Sequence, residues 1–212
     1  MSVRIKRHWF QDGRERSPEE KASVIAVAVW KSATHGLQGL RKAKFSVEVG
    51  APFIRVLAEF LVFLVTVADR MAWLHGPSEE DGPEHAGWRT AFLNALARRV
   101  SELYRENLDE LIGPDPSRPG GHGARLVDLL NRRMAEFSDF GYTEDGPEFG
   151  FLRYFGTCIE EALPDPADRR WVLDQIMATQ APEAIESVER GMRGVLGLDP
   201  KPPRRLEGAT AE

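Results

Sequence analysis

The segment from Ala51 to His75 constrains the fold of this chain more than any other. Set at the 100° intervals of an α-helix, Arg55, Glu59, Thr66, Asp69, Arg70 and Trp73 fall within one narrow stripe. Phe53, Val56, Leu57, Phe60, Leu61, Phe63, Leu64, Val67, Met71 and Leu74 occupy most of the remaining circumference. A helix that is apolar nearly all round belongs inside a bundle. This one would be about 37 Å long. Its uninterrupted apolar run, Phe60 to Ala68, falls short of the ~20 residues that cross a bilayer. Charges close the run on both sides, so a buried helix is expected and a membrane span is not.

The segments around it also read as helices. Ser17-Pro18-Glu19-Glu20 is a capping box with proline in the first turn. The run that follows, Val24 to Trp30, has strand propensity in its valines. The cap and the lack of a turn signal before Gly36 favour a buried helix, with Gly36 and Gly39 breaking its pattern. Residues 84–112 form an amphipath with Phe92, Leu96, Val100, Leu103, Leu108 and Leu111 on its apolar face, stopped by Gly113-Pro114-Asp115-Pro116. A Pro/Gly-rich connector leads to a helix over about 124–139 that carries Leu126, Leu130, Met134 and Phe137. Further helices are expected over 147–163, from Asp165-Pro166 onward with Trp171, Val172, Ile176 and Met177 facing inward, and from Ala181 to near Gly197. The chain is therefore expected to be all-α, a globular bundle of six to seven helices around the long central helix at about 51–75. Trp73, Trp88 and Trp171 are expected in its aromatic cores. Residues 1–16 read as an arm whose Trp9-Phe10 docks on the body or on a partner subunit. Residues 17–197 read as a single helical domain and 198–212 as a Pro-rich charged tail.

Glu-Asp-Gly-Pro-Glu occurs twice, at 80–84 and 144–148, and each copy is preceded by Arg-Met-Ala, at 70–72 and 133–135. Setting Arg70 on Arg133 also aligns Phe63, Leu64, Val67 and Met71 with Leu126, Val127, Leu130 and Met134. One reading is an internal duplication giving two similar helical hairpins. The other is convergence, because glycine turns a chain and Pro-Glu suits a helix start.

With 212 residues and an apolar fraction of 42%, the chain has the composition of a globular protein with a substantial core. A formal net charge of −5 makes nucleic acid an unexpected partner. The lone cysteine, Cys158, excludes an internal disulfide and reads as a buried apolar side chain in a cytoplasmic protein.

Charges on a buried helix need partners. Arg55 and Glu59, four residues apart, can pair with one another. The stripe then serves either as an internal salt-bridge network or as the lining of a ligand pocket formed by Arg55, Glu59, Asp69, Arg70 and Trp73. No Glu-x-x-His occurs, so the ferritin-type di-iron pattern is missing. Glu80, Asp81, Glu84 and His85 offer oxygen ligands suited to a hard cation, without EF-hand spacing. A solvated acidic helix start explains them better. No motif identifies a cofactor or a catalytic nucleophile. The chain thus reads first as a non-enzymatic protein-interaction or self-associating module. The alternatives are a small-ligand- or metal-binding bundle with its pocket at Glu59, Asp69 and Arg70, and a helical transcriptional regulator.

Overall fold

The structure, a computed structural model, describes residues 16–78, 80 and 82–199, except for the side chain of Glu84. The arm with Trp9-Phe10 and nearly all of the tail lie outside these residues. Within them the chain is all-α, with seven α-helices and one two-stranded ribbon. The helices are α1 (Pro18–Lys42), α2 (Ala51–His75), α3 (Trp88–Ile112), α4 (Gly121–Phe137), α5 (Phe149–Ala162), α6 (Pro166–Gln175) and α7 (Ala181–Leu196). The ribbon pairs β1 (Tyr142–Thr143) with β2 (Gly146–Pro147) in antiparallel register.

Helix α2 is the axis of the molecule and is touched by α1, α3, α4, α5 and α7. It is long and apolar enough to cross a membrane by length and composition alone, but 72% of its most apolar window is buried within the molecule. Its core partners are phenylalanines. Phe63 stacks on Phe155 with centroids 3.8 Å apart, and Phe155 takes the edge of Phe60 at 5.1 Å. Phe137 and Phe151 extend the cluster at 4.7 Å. Of the expected tryptophans only Trp88 is in the core, stacked on Phe92. Trp73 and Trp171 are 61% and 60% exposed. Both stand in helical patterns next to truly buried neighbours, Ala72 and Val172, and a window of alternating faces does not separate the two.

Helix α1 begins as expected. The Ser17 hydroxyl accepts from the Glu20 amide at 3.2 Å, and the Glu20 carboxylate accepts from the Ser17 amide at 3.0 Å. Neither Gly36 nor Gly39 ends it; both lie inside the helix, which runs on to Lys42. The ring of Phe60 occupies the space beside Gly36 where a side chain would go. These glycines therefore mark a close approach of neighbours rather than a stop.

The two copies of Glu-Asp-Gly-Pro-Glu are built differently. The first runs into a 3₁₀ turn, Pro83–His85, and α3 starts only at Trp88, four residues later than the sequence suggests. The second forms the end of the ribbon, with Gly146 at a φ of 104° and Glu148 at the N-cap of α5.

Helices α6 and α7 are joined without a break by a π-turn, Ile176–Gln180. Val172 and Ile176 are buried on the first, and Ala184, Val188 and Met192 on the second. In an unbroken α-helix these two sets would point roughly 140° apart. A turn closed by i→i+5 bonds holds one more residue and removes about 100° of that difference.

Candidate functional site

Glu59, Thr66 and Asp69 of the α2 stripe are buried, Arg70 is half-buried, and Arg55 and Trp73 are exposed. Glu59 does not pair with Arg55. It lies against α4, where Arg133 grips its carboxylate from two sides: Nε donates to Oε2 at 3.0 Å and Nη2 to Oε1 at 2.9 Å. The other terminal nitrogen, Nη1, donates to the Glu136 carboxylate at 3.0 Å and to the Tyr154 hydroxyl at 2.9 Å. The Tyr154 hydroxyl in turn donates to Glu136. Glu161 of α5 stands 3.7 Å from Nη2. A guanidinium has five N–H groups in a planar fork, and here the fork is filled by side chains from α2, α4 and α5. Arg55 is exposed one turn away, while Glu59 faces into the bundle, where the largely desolvated Arg133 binds it more strongly than an arginine in water would.

Asp69 accepts from Arg89 Nε at 2.9 Å and Nη2 at 2.8 Å, which ties α2 to the first turn of α3. Arg70 donates from Nη2 to the Phe137 carbonyl at 3.1 Å. A cation thus sits on the last turn of α4, where the helix dipole favours it. Thr66 bonds back to the Val62 carbonyl of its own helix. Glu59 and Asp69 are ten positions apart, roughly 15 Å along the axis. The stripe therefore makes three separate ties, and Asp69 and Arg70 have other partners than Glu59.

A cleft of about 470 Å³ does open beside Glu59. Ile54, Arg55, Ala58 and Glu59 of α2 form one wall. Arg125, Leu126, Leu129, Arg132 and Arg133 of α4 form another. Cys158, Glu161 and Ala162 of α5 and Tyr104 of α3 complete it. Two of the five residues that the sequence suggests for a ligand pocket, Arg55 and Glu59, are therefore on its lining. Asp69, Arg70 and Trp73 are not. The contributions of α4 and α5 carry no signal in the sequence beyond ordinary amphipathic spacing. Arg132 and Arg133 are adjacent and alike, and only packing makes one the buried partner and the other an exposed rim.

Charge and burial act together along this wall. Burial pushes the Glu59 carboxyl up, while the Arg133 guanidinium works in the opposite direction. Burial acts to lower the Arg133 pKa, but the carboxylates of Glu59 and Glu136 outweigh it and hold the guanidinium charged. The Tyr154 hydroxyl, and then Arg133, holds Glu136 below the ordinary glutamate value. Burial, and then the charge of Glu59, pushes the Cys158 thiol up to about 12. At that value it is a neutral apolar filler rather than a nucleophile.

A second, smaller cleft lies between α1 and α7, where Ser32 Oγ donates to Ser187 Oγ at 2.9 Å and His35 stands 4.0 Å from Glu183. His35 falls inside α1 rather than at a helix end, because that helix continues past it. His75 is the last residue of α2, the position expected for a cation at a helix C-terminus.

In the acidic loop, Glu80 is exposed and His85 is half-buried in the 3₁₀ turn. Asp81 and the side chain of Glu84 lie outside the described residues. Among the described residues no group of three or more His, Cys, Asp or Glu side chains is arranged to hold a metal ion.

No protein-family model, curated protein or solved structure matches this chain.

Proposed function

We propose that this chain is a small-ligand-binding protein whose site is the cleft walled by α2, α3, α4 and α5. One observation carries the reading. A cavity within the ~300–1,000 Å³ range of ligand sites opens onto a carboxylate–guanidinium pair that packing has fixed in place. The cleft has apolar walls and a few convergent polar groups, the usual composition of such sites. Binding suits it better than catalysis. Arg133 is committed on every side, Glu59 is locked against it, and the Cys158 thiol stays protonated at neutral pH. The single, buried cysteine fits a cytoplasmic, reducing setting.

A screen of small fragments, followed by backbone amide NMR, tests this reading. Binders are expected to shift amides in 54–59, 125–133 and 158–162. Shifts that cluster elsewhere, or no binder from several hundred fragments, would remove the cleft as the site.

A second reading, self-association, is favoured by a different surface. Trp30, Phe53, Leu57, Leu108 and Leu111, with Thr34, Asn107 and Glu110 among them, line a groove of about 480 Å³ between α1, α2 and α3. Leu111 and Ile112 beside it are 47% and 49% exposed. Light scattering decides it: a dimer that Leu111→Arg converts to monomer supports this face, and a strict monomer at high concentration rules it out.

A further inference from the structure

The charges around the cleft are unbalanced. Four arginines line it, Arg55, Arg125, Arg132 and Arg133, against two acids, Glu59 and Glu161. This is a local positive excess on a chain whose net charge is −5. The four arginines are not equivalent. Arg133 is spent on Glu59, Glu136 and Tyr154. Arg125 is spent on Asp115 and on the Ser117 hydroxyl, at 2.7 Å from the latter. Arg55 and Arg132 are exposed, and neither makes a hydrogen bond or ion pair among the described residues. They approach the cleft from opposite walls, one from α2 and one from α4. Arg132 is close enough for its charge to act on both Glu59 and Glu136. Between these two rims the walls are apolar: Ile54, Ala58, Leu126, Leu129 and Ala162.

We infer that the cleft takes an organic anion with an apolar body, its charge held at the mouth by Arg55 and Arg132 and its body lying along α4 and α5. This rests on the reading of the cleft as the ligand site. Two uncommitted guanidiniums on different walls of one cleft suit a carboxylate or another oxyanion, which each can meet through parallel N–H donors. An alkylammonium would meet like charge at the same place. A neutral body of the same shape would gain only the apolar walls. The buried carboxylate of Glu59 does not oppose the anion, because Arg133 meets it from the α4 wall and neutralises it. The protein has thus turned one guanidinium inward to hold the helices and left its neighbour, Arg132, outward to meet a ligand.

Three probes of one length separate these possibilities: decanoate, decan-1-ol and decyltrimethylammonium, each titrated calorimetrically below its micellar range. Decanoate is expected to bind best and to weaken as salt rises. Arg55→Gln and Arg132→Gln should each weaken decanoate about fivefold and leave decan-1-ol unchanged. Both positions are exposed and unpartnered, so an unchanged melting temperature is the control for folding. If the alcohol and the ammonium bind as tightly as decanoate, or the double variant binds decanoate normally, the inference about charge fails while the cleft reading survives. If none of the probes binds, or Leu129→Trp, which fills the cleft, leaves decanoate affinity untouched, the cleft reading fails and the inference fails with it.

Discussion

Arg133 shows what a buried charge needs in order to be tolerated. Its side chain is 11% exposed and Glu59 beside it 10%, so neither is solvated well enough to stand alone. Arg133→Ala would leave the carboxylate buried with no guanidinium, at a cost of about 3–5 kcal/mol. Urea unfolding of Arg133→Ala and of Arg133→Met/Glu59→Leu checks this, and the double variant, which removes both charges, should be clearly more stable than the single one. Glu136 makes the prediction for pH. Its folded carboxyl is held below the ordinary value of 4.5, first by the Tyr154 hydroxyl and then by Arg133. The unfolded chain therefore takes up that proton more readily. The stabilisation is complete above pH 4.5 and is lost as pH falls through the lower folded value. Glu136→Gln should flatten that part of the acid limb in a series of thermal melts. Glu59 has the opposite sign. Burial raises it, so its contribution is complete below 4.5 and lost as pH rises through its folded value. None of this partnership was legible beforehand. The stripe on α2 shows that Glu59 needs a cation, but Arg55 is the candidate that helix spacing offers, and spacing along one helix says nothing about what a second helix brings.

At the scale of elements, the sequence is most readable where a local rule acts alone. The Ser17 capping box and the proline-led start of α6 are where their chemistry puts them, whereas Pro182, expected to open a helix, lies inside a rod that runs through from α6. Glycine is harder, because one residue type answers several demands. At Gly36 the demand is room. A methyl group there would sit 2.5 Å from Phe60 Cε1. In an exposed helix Gly→Ala would gain ~1 kcal/mol of propensity. Here the ring that would have to move is fully buried and rests edge-on against Phe155. Overpacking of about 1–3 kcal/mol should win, so Gly36→Ala is expected to lower the melting temperature. Adding Phe60→Leu should recover part of the loss, which a double-variant cycle would measure. The repeated pentapeptide teaches the same lesson. Gly-Pro opens a 3₁₀ turn in the first copy and forms a ribbon strand in the second, so the same residues take different structures in different surroundings.

At the scale of the molecule, the all-α bundle was legible because α2 leaves few alternatives. An apolar rod of that length has to be wrapped, and the amphipaths on either side have the right period to wrap it. The cleft was not legible, because it is the space left between four helices and belongs to none of them. The π-turn was not legible either, since Ile176–Gln180 carries no glycine or proline to announce it. Its effect nevertheless extends to the end of α7. Deleting Thr179 would let the ladder close into ordinary α geometry, and because the residue lost is the one the π-turn absorbs, every later side chain keeps its direction. Inserting an alanine after Thr179 would instead add about 100° that nothing absorbs. Val188 and Met192 would leave the core. The Ser32–Ser187 contact and the 2.7 Å bond from the Tyr142 hydroxyl to Glu189 would be lost with them. The insertion should therefore unfold the chain or melt α7, visible as lost helicity in circular dichroism. The deletion should do neither. The turn is a phase shifter in a single rod: α6 keeps time with α5, and α7 with α1 and α2. Residue count across that joint therefore matters more than residue identity, and the joint tolerates one residue fewer but not one more.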